Sequence, residues 1–177
     1  MNSCSLPKLN KFTNLCAIYA ALLATGCSYS VSLNDRVIYD PPGLFKDYQI
    51  ADRTLAQCVE QHVVDKKITD PRQLTRLDCS HGGIVSLAGL ESFSAIEELN
   101  LANNQLTDLT PLSKLSHLRV LILRENPISS IAPLLALLQL QQLDIDETAI
   151  SDCRDVQQLE NNLAGSDYSL QKPPACR

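Results

Sequence analysis

Tryptophan is absent from the 177 residues, and aromatic side chains make up only 5% of them. Leu is the dominant apolar residue instead, a composition suited to a core built from one repeated side-chain shape. Positive charge is also scarce: 15 Lys and Arg stand against 20 Asp and Glu, for a formal net charge of -5. A surface that binds phosphate backbones needs clustered cations, which this chain does not have, so nucleic acid is not expected as a partner. Long hydrophobic runs are missing as well. The stretch from Leu15 to Leu23 falls well short of the roughly 20 apolar residues that a membrane-crossing helix needs.

What the N-terminus does have is an address. Residues 1–26 carry Lys8 and Lys11 and no acid, then the apolar run, then Ala24-Thr25-Gly26-Cys27. This order of basic, apolar and small is that of a secretory signal. The segment Leu23-Ala24-Thr25-Gly26-Cys27 resembles the bacterial lipobox, with Ala24 where Leu is commoner. The resemblance implies that Cys27 is lipidated and becomes the new N-terminus. Ser28, where inner-membrane lipoproteins of Gram-negative bacteria have Asp, implies the outer membrane. The alternative is an ordinary signal peptide that leaves Cys27 as a free thiol, a liability in an oxidising compartment. Loss of residues 1–26 would leave 13 basic against 20 acidic side chains, formally -7, so only the lipid is expected to hold the chain on a membrane. Residues 27–51 mix Ser, Asn, Asp and Pro-Pro-Gly without periodicity and read as a tether, ordered at most near Val37 to Tyr39.

From residue 74 the chain repeats every 22 residues. Leu74, Leu77, Cys79, Gly82 and Ile84 align with Ile96, Leu99, Leu101, Asn104 and Leu106. The next two cycles supply Leu118, Leu121, Leu123, Asn126 and Ile128, then Leu140, Leu143, Ile145, Thr148 and Ile150. No single helix or strand keeps one period with such mixed internal spacings, so residues 74–156 are expected to form a four-coil solenoid. Within each coil, x-x-Leu-x-Leu alternation sends the apolar side chains inward and gives one short strand. Asn104 and Asn126 are expected to turn inward and bond the backbone where the chain leaves the strand. Gly82 and Thr148 interrupt that ladder at its ends, as terminal repeats often do.

The pattern resembles the internalin type of bacterial leucine-rich repeat, including the Pro of Thr110-Pro111-Leu112 and Ala132-Pro133-Leu134. The fold class expected is an α/β leucine-rich-repeat solenoid with a short parallel sheet on the concave face and helical caps at both ends. Pro111 and Pro133 would open short 3₁₀ return segments. The N-terminal cap is expected at 52–73, where Leu55, Cys58, Val59, His62 and Val63 follow helical spacing after Asp52. The C-terminal cap and tail are expected at 157–177, with a stripe through Val156, Leu159 and Leu163, a stop at Gly165 and an irregular coil after it.

Four cysteines remain once Cys4, Cys16 and Cys27 are set aside, and four allow three pairings. Cys58 and Cys79 belong to the first cap and coil, Cys153 and Cys176 to the last coil and tail, so a bridge at each end is expected. The rival for the first pair is a zinc site of Cys58, His62, Cys79 and His81. Export favours oxidation over metal binding, and neither a metal nor a cofactor is expected.

The outward strand positions are Arg76, Glu98, Val120 and Gln142 in one row and Asp78, Asn100, Ile122 and Asp144 in the next; Ser80, Ala102, Arg124 and Asp146 are expected to form a third. Val120 and Ile122 make an apolar centre with a charged rim of Arg124, Glu98 and Asp144, a form common in protein-binding patches. The candidate ligand-binding surface is therefore Arg76, Glu98, Asn100, Val120, Ile122, Arg124 and Asp144. Two exposed β-branched residues can also reflect strand propensity alone. Asp144, Asp146 and Glu147 form an acidic edge, more naturally solvated than cation-binding. His62, His81 and His117 fall on different elements with no reason to converge with a Ser or an acid, so no enzyme is expected. The function expected is a lipid-anchored, monomeric binding module for a protein or cell-envelope component, with adhesion as the analogy that the internalins supply. The alternative is a structural or assembly lipoprotein of the envelope.

Overall fold

The computed structural model describes residues 31–33, 36–39, 43–164 and 167–177. The expected signal segment, Cys27 and Gly165 lie outside them. Among the described residues no helix is long and apolar enough to cross a membrane. The chain divides into two units between Gly43 and Leu44. In the first, β1 (Val31–Leu33) and β2 (Arg36–Tyr39) pair antiparallel, with a bulge between Val31 and Ser32. The segment expected as a tether thus holds a hairpin, of which the sequence marked only the second strand.

The second unit opens with a correction to the expected boundary at residue 51. Leu44, Phe45, Tyr48 and Ile50 pack against the core. The backbone is tied down as well, Phe45 N–H to the Ile68 carbonyl at 2.9 Å and Ala51 N–H to the Ala88 carbonyl at 3.1 Å. Phe45, Tyr48 and Phe93 form a ring cluster, with centroids 5.2 to 6.0 Å apart. The strap escaped the sequence because its four apolar residues keep neither helical nor strand spacing beyond a single turn. Their partners lie far along the chain.

Helix α1 (Arg53–Asp65) follows, with Leu55, Val59 and Val63 buried. Asp52 caps it: one carboxylate oxygen accepts the N–H groups of Thr54 (2.9 Å) and Leu55 (3.0 Å). The other reaches Val85 N–H (2.9 Å) and Ser86 N–H (3.4 Å) in the first coil, so one side chain fastens helix to repeat. Burial alone would push the Asp52 carboxyl up, but the four backbone donors outweigh it and hold it below its ordinary value.

The repeats deliver the expected strands: β3 (Arg76–Asp78), β4 (Glu98–Asn100), β5 (Val120–Ile122) and β6 (Gln142–Asp144). They pair parallel and in order, with Leu77, Leu99, Leu121 and Leu143 in register. The return legs are 3₁₀ turns at Leu90–Ser92, Thr110–Lys114 and Ala132–Ala136, the last two opened by Pro as expected. The left-handed backbone also recurs at the repeat step, at His81, Asn103, Glu125 and Glu147. Helix α2 (Arg154–Leu163) replaces the return leg of the last coil and buries Val156, Leu159 and Leu163.

The tail departs from expectation. Instead of an irregular coil it supplies β7 (Ser169–Gln171), a fifth parallel strand that sets Leu170 beside Leu143. Leu170 follows Leu143 by 27 residues where the repeat step is 22, so the tail carries no sign of the strand in its phase. Disulfides join Cys58 to Cys79 and Cys153 to Cys176, with Cα–Cα distances of 5.9 and 5.5 Å. Each end has its own bridge, and because the sulfurs of Cys58 and Cys79 are bonded to each other, the zinc alternative is set aside. Ala102, expected on the outer face, is buried at 5% exposure. The chain is already turning off the sheet there, as the Ala102 carbonyl accepting from Asn104 shows.

Candidate protein-binding face

The pleat of β3 to β6 points one side chain of each strand into the core and two outward. Register then stacks Arg76, Glu98, Val120 and Gln142 in one lane and Asp78, Asn100, Ile122 and Asp144 in the other. The first two coils satisfy themselves. Arg76 Nη2 lies 2.9 Å from Glu98 Oε1, and Asn100 Nδ2 donates to Asp78 Oδ2 at 3.0 Å. The Arg76–Glu98 pair is well exposed, so it orders the face more than it stabilises the fold. Burial alone would push Asp78 up, but the Ser80 N–H and hydroxyl, the Asn100 amide and the charge of His62 hold it below its ordinary value.

On the third coil the polar ladder stops. Val120 and Ile122 are half-buried on the outer face, over the buried Leu121. No side chain in either lane of the neighbouring strands is apolar.

A shallow depression brings Arg76, Glu98, Asn100, Val120 and Ile122 together, but neither Arg124 nor Asp144 lines it. Arg124 is exposed and forms no salt bridge among the described residues. Asp144 accepts a hydrogen bond from Asp146 N–H at 3.1 Å. The depression also takes in Lys66, which sequence reasoning missed, and His62, which it placed on the cap helix and not on this face. The available signal was their i, i+4 spacing, with His62 next to the buried Val63 in the last turn of α1 and Lys66 at its C-cap.

His62 Nδ1 pairs with the Cys58 carbonyl (2.9 Å) and His117 Nδ1 with the Ser94 carbonyl (3.1 Å). Among the described residues no imidazole is hydrogen-bonded to a hydroxyl or a carboxylate.

The family model described as Leucine Rich repeats (2 copies) matches residues 72–114. The fold is a leucine-rich-repeat solenoid. Among solved structures it is similar to an internalin, InlF, from Listeria monocytogenes, at 29% identity and a TM-score of 0.60. It is also similar to internalin C2 of the same organism, at 22% identity and a TM-score of 0.58. These similarities cover 70% and 69% of this chain, which spans only 37% and 64% of the respective internalins. No curated protein sequence matches it. The leucine-rich-repeat solenoid and its likeness to internalins support a protein-interaction scaffold, and nothing in the face described above points to catalysis.

Proposed function

We propose that this leucine-rich-repeat solenoid is a lipid-anchored binding module of the bacterial cell envelope, held through Cys27 at the outer membrane, whose concave sheet recognises another protein. One observation carries the reading: the outward lanes are polar and internally paired on the first two coils, then open onto Val120 and Ile122, half-buried and flanked by polar side chains. An apolar centre with a polar rim is the anatomy of a recognition patch. The likeness to internalins supports binding as a class and makes adhesion the working analogy. The lipobox-like segment ending at Cys27 supports the anchor, and Ser28 supports the outer membrane.

A photo-crosslinking amino acid at Gln142, beside the patch, is expected to trap a partner in intact cells. Val120→Ala with Ile122→Ala should cut that yield at least severalfold, since central apolar contacts dominate such interfaces. Undiminished trapping by the double variant would sink the concave reading and favour a spacer or assembly role. For the anchor, labelled palmitate should enter the chain and be lost in Cys27→Ser; equal labelling of both would defeat it.

A further inference from the structure

One wall of the concave depression comes from outside the repeats. Helix α1 lies along the open flank of β3, where Lys66 Nζ donates to the Arg76 carbonyl at 3.2 Å and His62 borders the same hollow one turn earlier. The cations here are not equivalent. Arg76 is neutralised by Glu98 at 2.9 Å. Lys66 has no carboxylate partner among the described residues, and its ammonium, with three donors, uses one on a carbonyl. The nearest acid in the other lane, Asp78, is already occupied, accepting from Ser80 N–H (3.1 Å), Ser80 Oγ (2.8 Å) and Asn100 Nδ2 (3.0 Å).

The depression therefore has an unpaired cation at one end and the apolar pair of Val120 and Ile122 at the other. The distance between them follows from the sheet: β3 and β5 are two strand spacings apart, about 10 Å, and Lys66 Nζ lies a further 3.2 Å out on the flank of β3, which makes about 13 Å in all. We propose that the face takes a protein segment whose acidic side chain meets Lys66 while an apolar side chain, about 13 Å away, covers Val120 and Ile122. That separation is about four residues of extended chain or about nine of helix. A basic residue in the acid's place would face Lys66 at close range, a like-charge contact that excludes wrong partners. This assignment rests on the concave face being the recognition surface, and it adds the charge and spacing of what binds there.

Random dodecapeptides displayed on phage and selected on the immobilised full-length chain provide the test. Recovered sequences are expected to share an Asp or Glu at fixed spacing from a Leu, Ile, Val or Phe. Lys66→Gln should weaken a synthetic peptide of that sequence about tenfold, and Lys66→Glu should select Lys or Arg at the same position. The exchange of preference is a gain, which a misfolded variant would not give. Peptides without a shared acid, or equal binding by Lys66→Gln, would overturn the acidic–apolar assignment. If such peptides still lose binding with Val120→Asp, the concave reading survives. Peptides that bind Val120→Asp as well as the parent chain, or no enrichment on either, would overturn both.

Discussion

At the scale of the residue, Asn126 illustrates how one side chain closes a coil. Its Oδ1 accepts Leu106 N–H from the preceding coil at 3.1 Å, while Nδ2 donates to the carbonyls of Leu101 (2.9 Å) and Leu123 (2.8 Å). Asn104 repeats the arrangement one coil earlier, accepting from Gly82 and Ile84 N–H at 3.0 Å and donating to the Cys79 carbonyl at 3.0 Å. Both are buried, so no water stands ready to replace these bonds. The ladder ends where the sequence said it would. Among the described residues Thr148 bonds only its own coil, at the Ile145 carbonyl (2.8 Å), and Gly82 leaves room for Thr54 of the cap helix, 3.2 Å from where a Cβ would sit. Asn126→Ala leaves a buried N–H and a buried carbonyl without partners, a loss of about 3 kcal/mol on urea denaturation at neutral pH. Asn126→Asp keeps the acceptor but sets a carboxylate against two carbonyls, and should cost at least as much. A change below about 1 kcal/mol in both would mean that the ladder is not what joins the coils.

At the scale of the element, the parts that repeat or run in a helical stripe were legible, and those that dock from a distance were not. α1 and α2 announced themselves through apolar spacing, and the return turns through Pro111 and Pro133. The strap of residues 44–51 did not, yet the sequence holds its trace at Gly89, which stands where the next two coils have Pro. Gly89 has φ +99°, and a Cβ there would run into the Gln49 carbonyl oxygen. The residue is Gly because the strap crosses the first coil directly over it. Gly89→Ala should therefore release the strap, at a cost of about 3 kcal/mol from backbone strain and steric conflict together. Hydrogen exchange can separate this from global unfolding: Phe45 and Ala51 amides should lose protection while those of Leu101 and Leu123 keep it. Retained protection at Ala51 would show that strap and coil can part without loss.

At the scale of the whole molecule, a solenoid is a stack in which each coil meets only its neighbours, so its ends decide how it comes apart. The candidate face was largely legible because it lies on strands, where alternation tells inside from outside. Val120 and Ile122 came from that rule. Lys66 did not, because its place beside β3 is set by the packing of a helix on the first coil, which no periodicity records. Ala102 misled for the converse reason: it continues the alternation just past the point where the strand ends. The two bridges follow the same logic, each stapling an end against fraying. The bridge from Cys153 to Cys176 spans 23 residues and fastens the tail that supplies β7. Replacing both of these cysteines by Ser should cost about 3 kcal/mol, mainly through the freedom returned to the unfolded tail. The loss should also be local. Ile145 N–H, bonded to the Gln171 carbonyl at 3.0 Å, should exchange first, while Cys79 N–H, bonded to the Asn100 carbonyl at 2.9 Å at the far end, stays protected. Replacement of Cys58 and Cys79 should reverse that polarity. If either pair of replacements lowers protection evenly from β3 to β7, the coils unfold as one unit, and the staples act on the whole stack and not on its ends.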